Sequence, residues 1–167
     1  MTTSSGPHKN TPACRKRARG GAKTGGTGRR ISAYGSHPAQ TRQNGLIIAD
    51  TSVWVDHFRK SDAHLYLQLQ RNNISIHPFI VAELALGNLP NRLKTIARLD
   101  LLPMAKVAQM GEVRNMVEAH ALFQRGIGFV DAHLIASTLI TPHTTLWSRD
   151  KRLRDVAANL GVDAKVL

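Results

Sequence analysis

The sequence predicts an α/β fold in which a central, mostly parallel sheet carries helices on both faces, in three layers. Short apolar runs alternate with helical patterns along the chain, as in parallel-sheet proteins. The run 46–49 is apolar throughout, which is typical of a strand covered on both faces. Aspartates directly follow the first and last clear strands, at Asp50 and Asp150. Open sheets of this kind bind ligands at the carboxyl ends of their strands.

Composition divides the chain into two parts. Residues 1–45 hold nine Lys or Arg and no acid, and eight of the thirteen glycines. Such a segment buries too little apolar surface to offset its ordering entropy, so we expect a disordered basic tail. Residues 46–167 are nearly balanced in charge, with fourteen bases against eleven acids, and are long enough for one folded domain.

The folded part begins with the strand 46–49. Thr51 or Ser52 is expected to cap a short helix that continues through Phe58. A second helix, at 62–71, places leucines among polar residues.

A strand at 74–76 follows, and Pro78 suits the first turn of the next helix, which ends at Gly87. Glu83 lies in the middle of this otherwise apolar helix. A carboxylate in that position is unusual.

The second half continues the alternation. A helix through 93–99 precedes a longer one at about 106–124, whose apolar residues form one stripe. Phe129 opens a helix that ends at Pro142 and has Asp131 in its first turn. The last elements predicted are a strand at 144–147, a helix at 150–160 and an edge strand at 162–167.

Several functional classes are excluded by what the sequence lacks. The single Cys14 rules out a disulfide framework and a cysteine-based zinc site, and the eight histidines form no HExxH pattern. No stretch is apolar enough for a signal peptide or a membrane span. We therefore expect a soluble protein of the cytoplasm. His133 is expected to be a packed or surface histidine.

Four acids are the candidate active-site residues: Asp50, Glu83, Asp131 and Asp150. Each aspartate has a simpler interpretation as a helix-capping or first-turn residue, because those positions favour acids. Carboxylates that converge repel one another, however, so a site that gathers them must bind cations or hold protons. Mg²⁺ is the natural occupant, since it prefers hard oxygen ligands and suits phosphodiester cleavage, and Mn²⁺ is an alternative.

The residues around these acids resemble the PIN domain of bacterial VapC-type toxins over 46–167. The motifs that carry the resemblance are Ile48-Ala49-Asp50-Thr51-Ser52-Val53-Trp54, Val81-Ala82-Glu83-Leu84, Phe129-Val130-Asp131-Ala132-His133-Leu134-Ile135-Ala136 and Leu146-Trp147-Ser148-Arg149-Asp150. The resemblance implies a magnesium- or manganese-dependent endoribonuclease that pairs with a small antitoxin protein and is often a homodimer. No role for the tail is implied.

The resemblance also suggests individual roles. Asp50 and Asp131 would be the principal metal ligands, supported by Glu83 and Asp150. Ser52 and Ser148 would hydrogen-bond to the carboxylates. Arg149, Lys151 and Arg152 are expected to draw RNA phosphates toward the acids, although a solvated helix face explains these bases equally well.

Other interpretations stay open. A haloacid-dehalogenase-type phosphatase also needs an aspartate after the first strand, but Ser52 stands where its second acid would be. From a different class, a noncatalytic PIN-like scaffold or RNA-binding module has the same fold. The tail either binds nucleic acid or precedes the true start of translation. The remaining acids, such as Asp56 and Asp62, are expected to be solvated, and Asp155 to pair with Lys151 or Arg152.

Overall fold

A computed structural model describes residues 45–166 of the chain. The predicted basic tail, apart from Gly45, lies outside the described residues, and so does Leu167. Within this part the order of elements alternates between strands and helices, and the α/β prediction is confirmed.

The sheet has three parallel strands, β1 (Leu46–Ala49), β2 (Ile74–Ser75) and β3 (Thr144–Trp147). Their order is β2-β1-β3, so the first strand of the chain lies in the centre. In the register with β3, Ala49 is paired with Trp147. The first residue after each of these two strands therefore emerges at the same edge of the sheet.

Seven helices connect and cover these strands in the described part of the chain. They are α1 (Thr51–Lys60), α2 (Ala63–Gln70), α3 (Pro78–Leu86), α4 (Arg92–Leu99), α5 (Met110–Ala119), α6 (Phe129–Ile140) and α7 (Lys151–Asn159). The β1-to-β2 and β2-to-β3 connections run in opposite directions across the sheet. Because such crossovers are right-handed, their helices pass over opposite faces.

The core is built where the strands meet α1 and α6. Ile48, Leu134 and Ile135 are completely buried. Trp54 of α1 is buried as well, and its indole N–H donates to the carbonyl of Ala49, 3.1 Å away. The start of α1 is thereby fixed to the end of β1, which is where Asp50 stands.

Three details of the sequence prediction were wrong. Neither Thr51 nor Ser52 caps α1, because Asp50 itself does so. The helix predicted at 106–124 is shorter, since Gln109 and Glu112 form a capping box at its start and Ala121 adopts a left-handed conformation after its end.

The edge strand predicted at 162–167 is the third wrong detail. Within the described residues this segment forms only an isolated bridge between Leu146 and Asp163. None of the helices between residues 45 and 166 combines the length and apolar character that a membrane span requires.

Candidate active site

Asp50 is the most constrained of the four acids. Its Oδ1 accepts the backbone N–H of Thr51 at 2.7 Å. Its Oδ2 accepts the hydroxyls of Ser52 at 2.7 Å and Ser148 at 2.9 Å. The side chain is therefore held by α1 on one side and by the residue after β3 on the other. Its relative exposure is only 7%.

Glu83 is joined to Asp50 through Thr51. The Thr51 hydroxyl donates to Oε2 of Glu83 at 2.5 Å, while the backbone N–H of the same threonine donates to Asp50. This contact crosses from α1 to α3. It explains why a carboxylate occurs in the middle of an otherwise apolar helix, since Glu83 is partly buried and reaches a polar partner on the neighbouring helix.

Asp131 lies in the first turn of α6, where its Oδ2 accepts the backbone N–H of Gly128 at 2.7 Å. Burial raises the pKa of this carboxyl, and the negative charges of Asp50 and Asp150 raise it further, although the Gly128 N–H opposes the change. Three carboxylates from three separate elements are therefore close enough to influence one another electrostatically.

Asp150 caps α7 through Oδ1, which accepts the backbone N–H groups of Arg152 at 2.7 Å and Leu153 at 3.2 Å. Its own N–H donates to the Ser148 hydroxyl at 3.0 Å. Ser148 therefore connects the backbone of Asp150 with the side chain of Asp50. The capping role that competed with the site interpretation is real, but it occupies only one of the two carboxylate oxygens.

The donor set suits a hard divalent cation. Asp131 and Asp150 each use one carboxylate oxygen to hold their own helix, which leaves the other oxygen without a hydrogen-bond donor among the described residues. The ion pairs within residues 45–166 involve other acids. Even so, no three His, Cys, Asp or Glu side chains in this part of the chain are placed as a ready ligand cluster.

The three bases that were predicted to contact RNA have different surroundings. Arg149 binds two carboxylates, those of Asp56 at 3.0 Å and Asp62. Lys151 is largely exposed and forms the expected pair with Asp155 at 3.4 Å. Arg152 approaches the carbonyl oxygen of Gly126 at 3.5 Å.

The expectation that Asp62 is solvated was wrong, whereas Asp56 is partly exposed and paired with Arg149. The Asp62 side chain is only 7% exposed and caps α2 by accepting the backbone N–H of Leu65 at 2.8 Å. Burial acts to raise the pKa of Asp62, but the Leu65 N–H and the Arg149 charge more than offset it, so the pKa is lowered. Sequence position gave no signal for this pair, because Arg149 is 87 residues from Asp62.

A group of aromatic rings joins the start of α3 to the first turns of α6. His133 is buried between Phe79 and Phe129, with ring centroids 4.7 and 4.6 Å away, which confirms it as a packed histidine. Neither of its ring nitrogens has a hydrogen-bond partner within the described residues, and burial lowers its pKa. Neighbouring His77 is fully buried.

Sequence reasoning did not single out His77, and it named Thr51 only as a possible cap of α1. His77 caps α3 by accepting the Phe79 N–H at 3.2 Å, and its Nε2 lies 3.0 Å from the hydroxyl of Ser137. Its place just before Pro78, the first residue of that helix, was a usable signal for a cap. Thr51 had no such signal, because its partner Glu83 is 32 residues away.

Known proteins share sequence similarity with most of this chain. The model of the PIN domain family matches residues 47–159. The chain is also 38% identical over 117 residues to Ribonuclease VapC32 of Mycobacterium tuberculosis, both from strain CDC 1551 / Oshkosh and from strain ATCC 25618 / H37Rv. Each alignment covers 70% of this chain and 94% of the relative.

Proposed function

This chain belongs to the PIN domain family, as a VapC-type endoribonuclease toxin, and we propose that it cleaves RNA at a centre formed by Asp50, Glu83, Asp131 and Asp150. The assignment of these residues is ours. One observation carries it: the Ser148 hydroxyl joins the Asp50 carboxylate to the backbone of Asp150, and Thr51 joins the same carboxylate to Glu83, although these acids come from different elements.

The alternatives have less support. A haloacid-dehalogenase-type phosphatase needs a second acid at position 52, where Ser52 instead donates its hydroxyl to Asp50 at 2.7 Å. A noncatalytic scaffold of this fold does not need the four acids, whereas Asp50, Glu83, Asp131 and Asp150 are all present in this chain.

PIN-domain ribonucleases use divalent metal ions, and we propose Mg²⁺ for this chain, with Mn²⁺ as a substitute. The four candidate acids offer only carboxylate oxygens, which favour these ions over zinc. When bound, the metal supplies Lewis-acid activation of water and positive charge for the transition state of phosphodiester cleavage.

The chain's own residues orient the carboxylates. Ser52 and Ser148 direct their hydroxyls to Oδ2 of Asp50, which fixes the carboxylate plane. Thr51 holds Glu83 toward the same place. Asp50 and Asp131 would be the principal ligands, as the resemblance to the family implies. Glu83 and Asp150 would complete the site or orient water.

VapC-type toxins act on RNA and pair with an antitoxin, so we propose that a cognate antitoxin protein inhibits this chain by covering the acids or inserting a basic side chain among them. Because its RNA substrate is in the cytoplasm, we propose that compartment for its action. A homodimer is also proposed, on the resemblance alone.

Two of the predicted RNA-contacting bases, Lys151 and Arg152, are exposed to solvent and remain candidates for binding RNA phosphates.

Asp50→Asn tests the assignment. Asparagine also caps helices, so α1 should be preserved while the charge is lost. We expect RNA cleavage to fall more than about 100-fold, beyond the loss that follows removal of an outer-shell partner of a metal. Asp155→Asn, which removes an exposed carboxylate of α7, is the matched control and should retain activity.

Each protein is incubated with total RNA, with and without Mg²⁺, and the rate at which fragments appear gives the cleavage rate. Thermal melts with and without Mg²⁺ report metal binding. A wild-type protein that Mg²⁺ neither activates nor stabilises would favour the noncatalytic module. Full activity of Asp50→Asn would contradict the site assignment while leaving the family membership intact.

A further inference from the structure

Arg149 places a positive charge in the segment that carries active-site residues. It lies between Ser148, whose hydroxyl donates to Asp50, and Asp150. Its own backbone N–H donates to the Ser52 hydroxyl at 3.1 Å. Arg149 is therefore attached through its backbone to the same network that orients the Asp50 carboxylate.

An arginine at this position should interfere with metal binding. Its guanidinium keeps its positive charge at all accessible pH values and prefers carboxylates as partners. Asp150 is the next residue in the chain, and Asp50 accepts the hydroxyls of Ser52 and Ser148, so a free Arg149 side chain would have active-site acids to bind. Occupation of the acids by an internal cation would compete directly with a divalent ion.

The structure directs the guanidinium elsewhere. Nε of Arg149 lies 3.0 Å from Oδ2 of Asp56, and its terminal nitrogen binds Oδ2 of Asp62. Asp56 belongs to α1 and Asp62 caps α2, so two elements fix the direction of the side chain. The nearly buried Asp62 is held in turn by the N–H of Leu65, which leaves it little freedom to move.

We propose that Asp56 and Asp62, which we call the retaining pair, hold the charge of Arg149 away from the active-site acids and so preserve their affinity for a divalent metal. In this role Arg149 is a positioning residue that ties the turn after β3 to α1 and α2. The RNA phosphates are then contacted by other bases. This inference rests on the proposed metal-dependent function.

The test releases Arg149 and then removes it. Asp56→Asn combined with Asp62→Asn abolishes both ion pairs, and asparagine still caps α2. Adding Arg149→Gln to this double variant deletes the freed charge. Asp100→Asn combined with Glu118→Gln is the matched control, because it removes two exposed acids that form no ion pair within the described residues.

The readouts are the Kd for Mn²⁺ from calorimetric titration, the thermal midpoint without metal, and RNA cleavage. We expect Mn²⁺ binding by the double variant to weaken about fivefold or more, as Coulomb repulsion of a divalent ion by a charge at roughly 8 Å in water-like surroundings would cause. The triple variant should regain most of this affinity. The control should bind Mn²⁺ within about twofold of the wild type.

Recovery in the triple variant separates charge retention from a structural ion pair, because a lost structural contact is not restored by deleting the second partner. Equal Mn²⁺ affinity in the wild type and the double variant would overturn the proposal, and so would a triple variant as weak as the double one. If the wild type itself fails to bind Mn²⁺, the proposed function fails instead, so the two failures are distinguishable.

Discussion

Acidification should destabilise this fold through His77. The imidazole is completely buried, and burial together with the charge of His133 lowers its pKa from 6.5 to about 4. Its Nδ1 accepts the Phe79 N–H, so the proton of the neutral ring is on Nε2, facing the Ser137 hydroxyl. A second proton would bind Nδ1 and turn it into a donor that faces the Phe79 N–H. The hydrogen bond by which His77 caps α3 would then be lost.

The magnitude follows from linkage between protonation and folding. Because the folded pKa lies below the unfolded value, the stabilisation is complete above pH 6.5 and is lost as the pH falls toward 4. Between about pH 7.5 and pH 5, we expect His77 alone to reduce the free energy of unfolding by about 2 kcal/mol. The lowered pKa of His133 acts in the same direction, and the raised pKa of Asp131 acts oppositely.

Urea denaturation at several pH values between 7.5 and 5 measures this effect, with His77→Asn as the comparison. Asparagine can accept the Phe79 N–H but does not titrate, so the other ionisable groups contribute equally to both proteins. The variant should lose about 2 kcal/mol less than the wild type over this range. Parallel curves for the two proteins would refute the reasoning.

Three further predictions follow from single contacts. Ser148→Ala removes a buried hydroxyl that bridges Asp50 and the Asp150 N–H, and should cost about 1–3 kcal/mol in urea denaturation and slow RNA cleavage in steady-state assays. Thr51→Val keeps the side-chain shape but frees Glu83, so cleavage should slow about tenfold while the thermal midpoint changes by only a few degrees. Leu134→Ala opens a cavity at a fully buried position of α6 and should lower the free energy of unfolding by about 2–5 kcal/mol, with little change in activity at temperatures where the fold persists.

Much of the fold could be predicted from local patterns. The uninterrupted apolar run of β1, the first-turn proline of α3 and the acid that starts α7 each depend on residues adjacent in the chain. The length of α5 could not be predicted in this way, because the stripe of apolar residues in the sequence continues past both ends of the helix. Its start is decided by a capping box, and Ala108 just before it donates its N–H to Ser137 on α6.

The order of the four acids, and the positions of the three aspartates at element ends, were determined by the sequence, since strand ends and helix caps are local features. Only the tertiary structure decided which polar groups serve them: Thr51 for Glu83, Ser148 for Asp50, and Asp56 with Asp62 for Arg149. These partners are separated by tens of residues, and no local pattern encodes such distances. The sequence shows how many charged residues there are. Which residues become partners depends on the parallel register that brings the ends of β1 and β3 to one edge of the sheet.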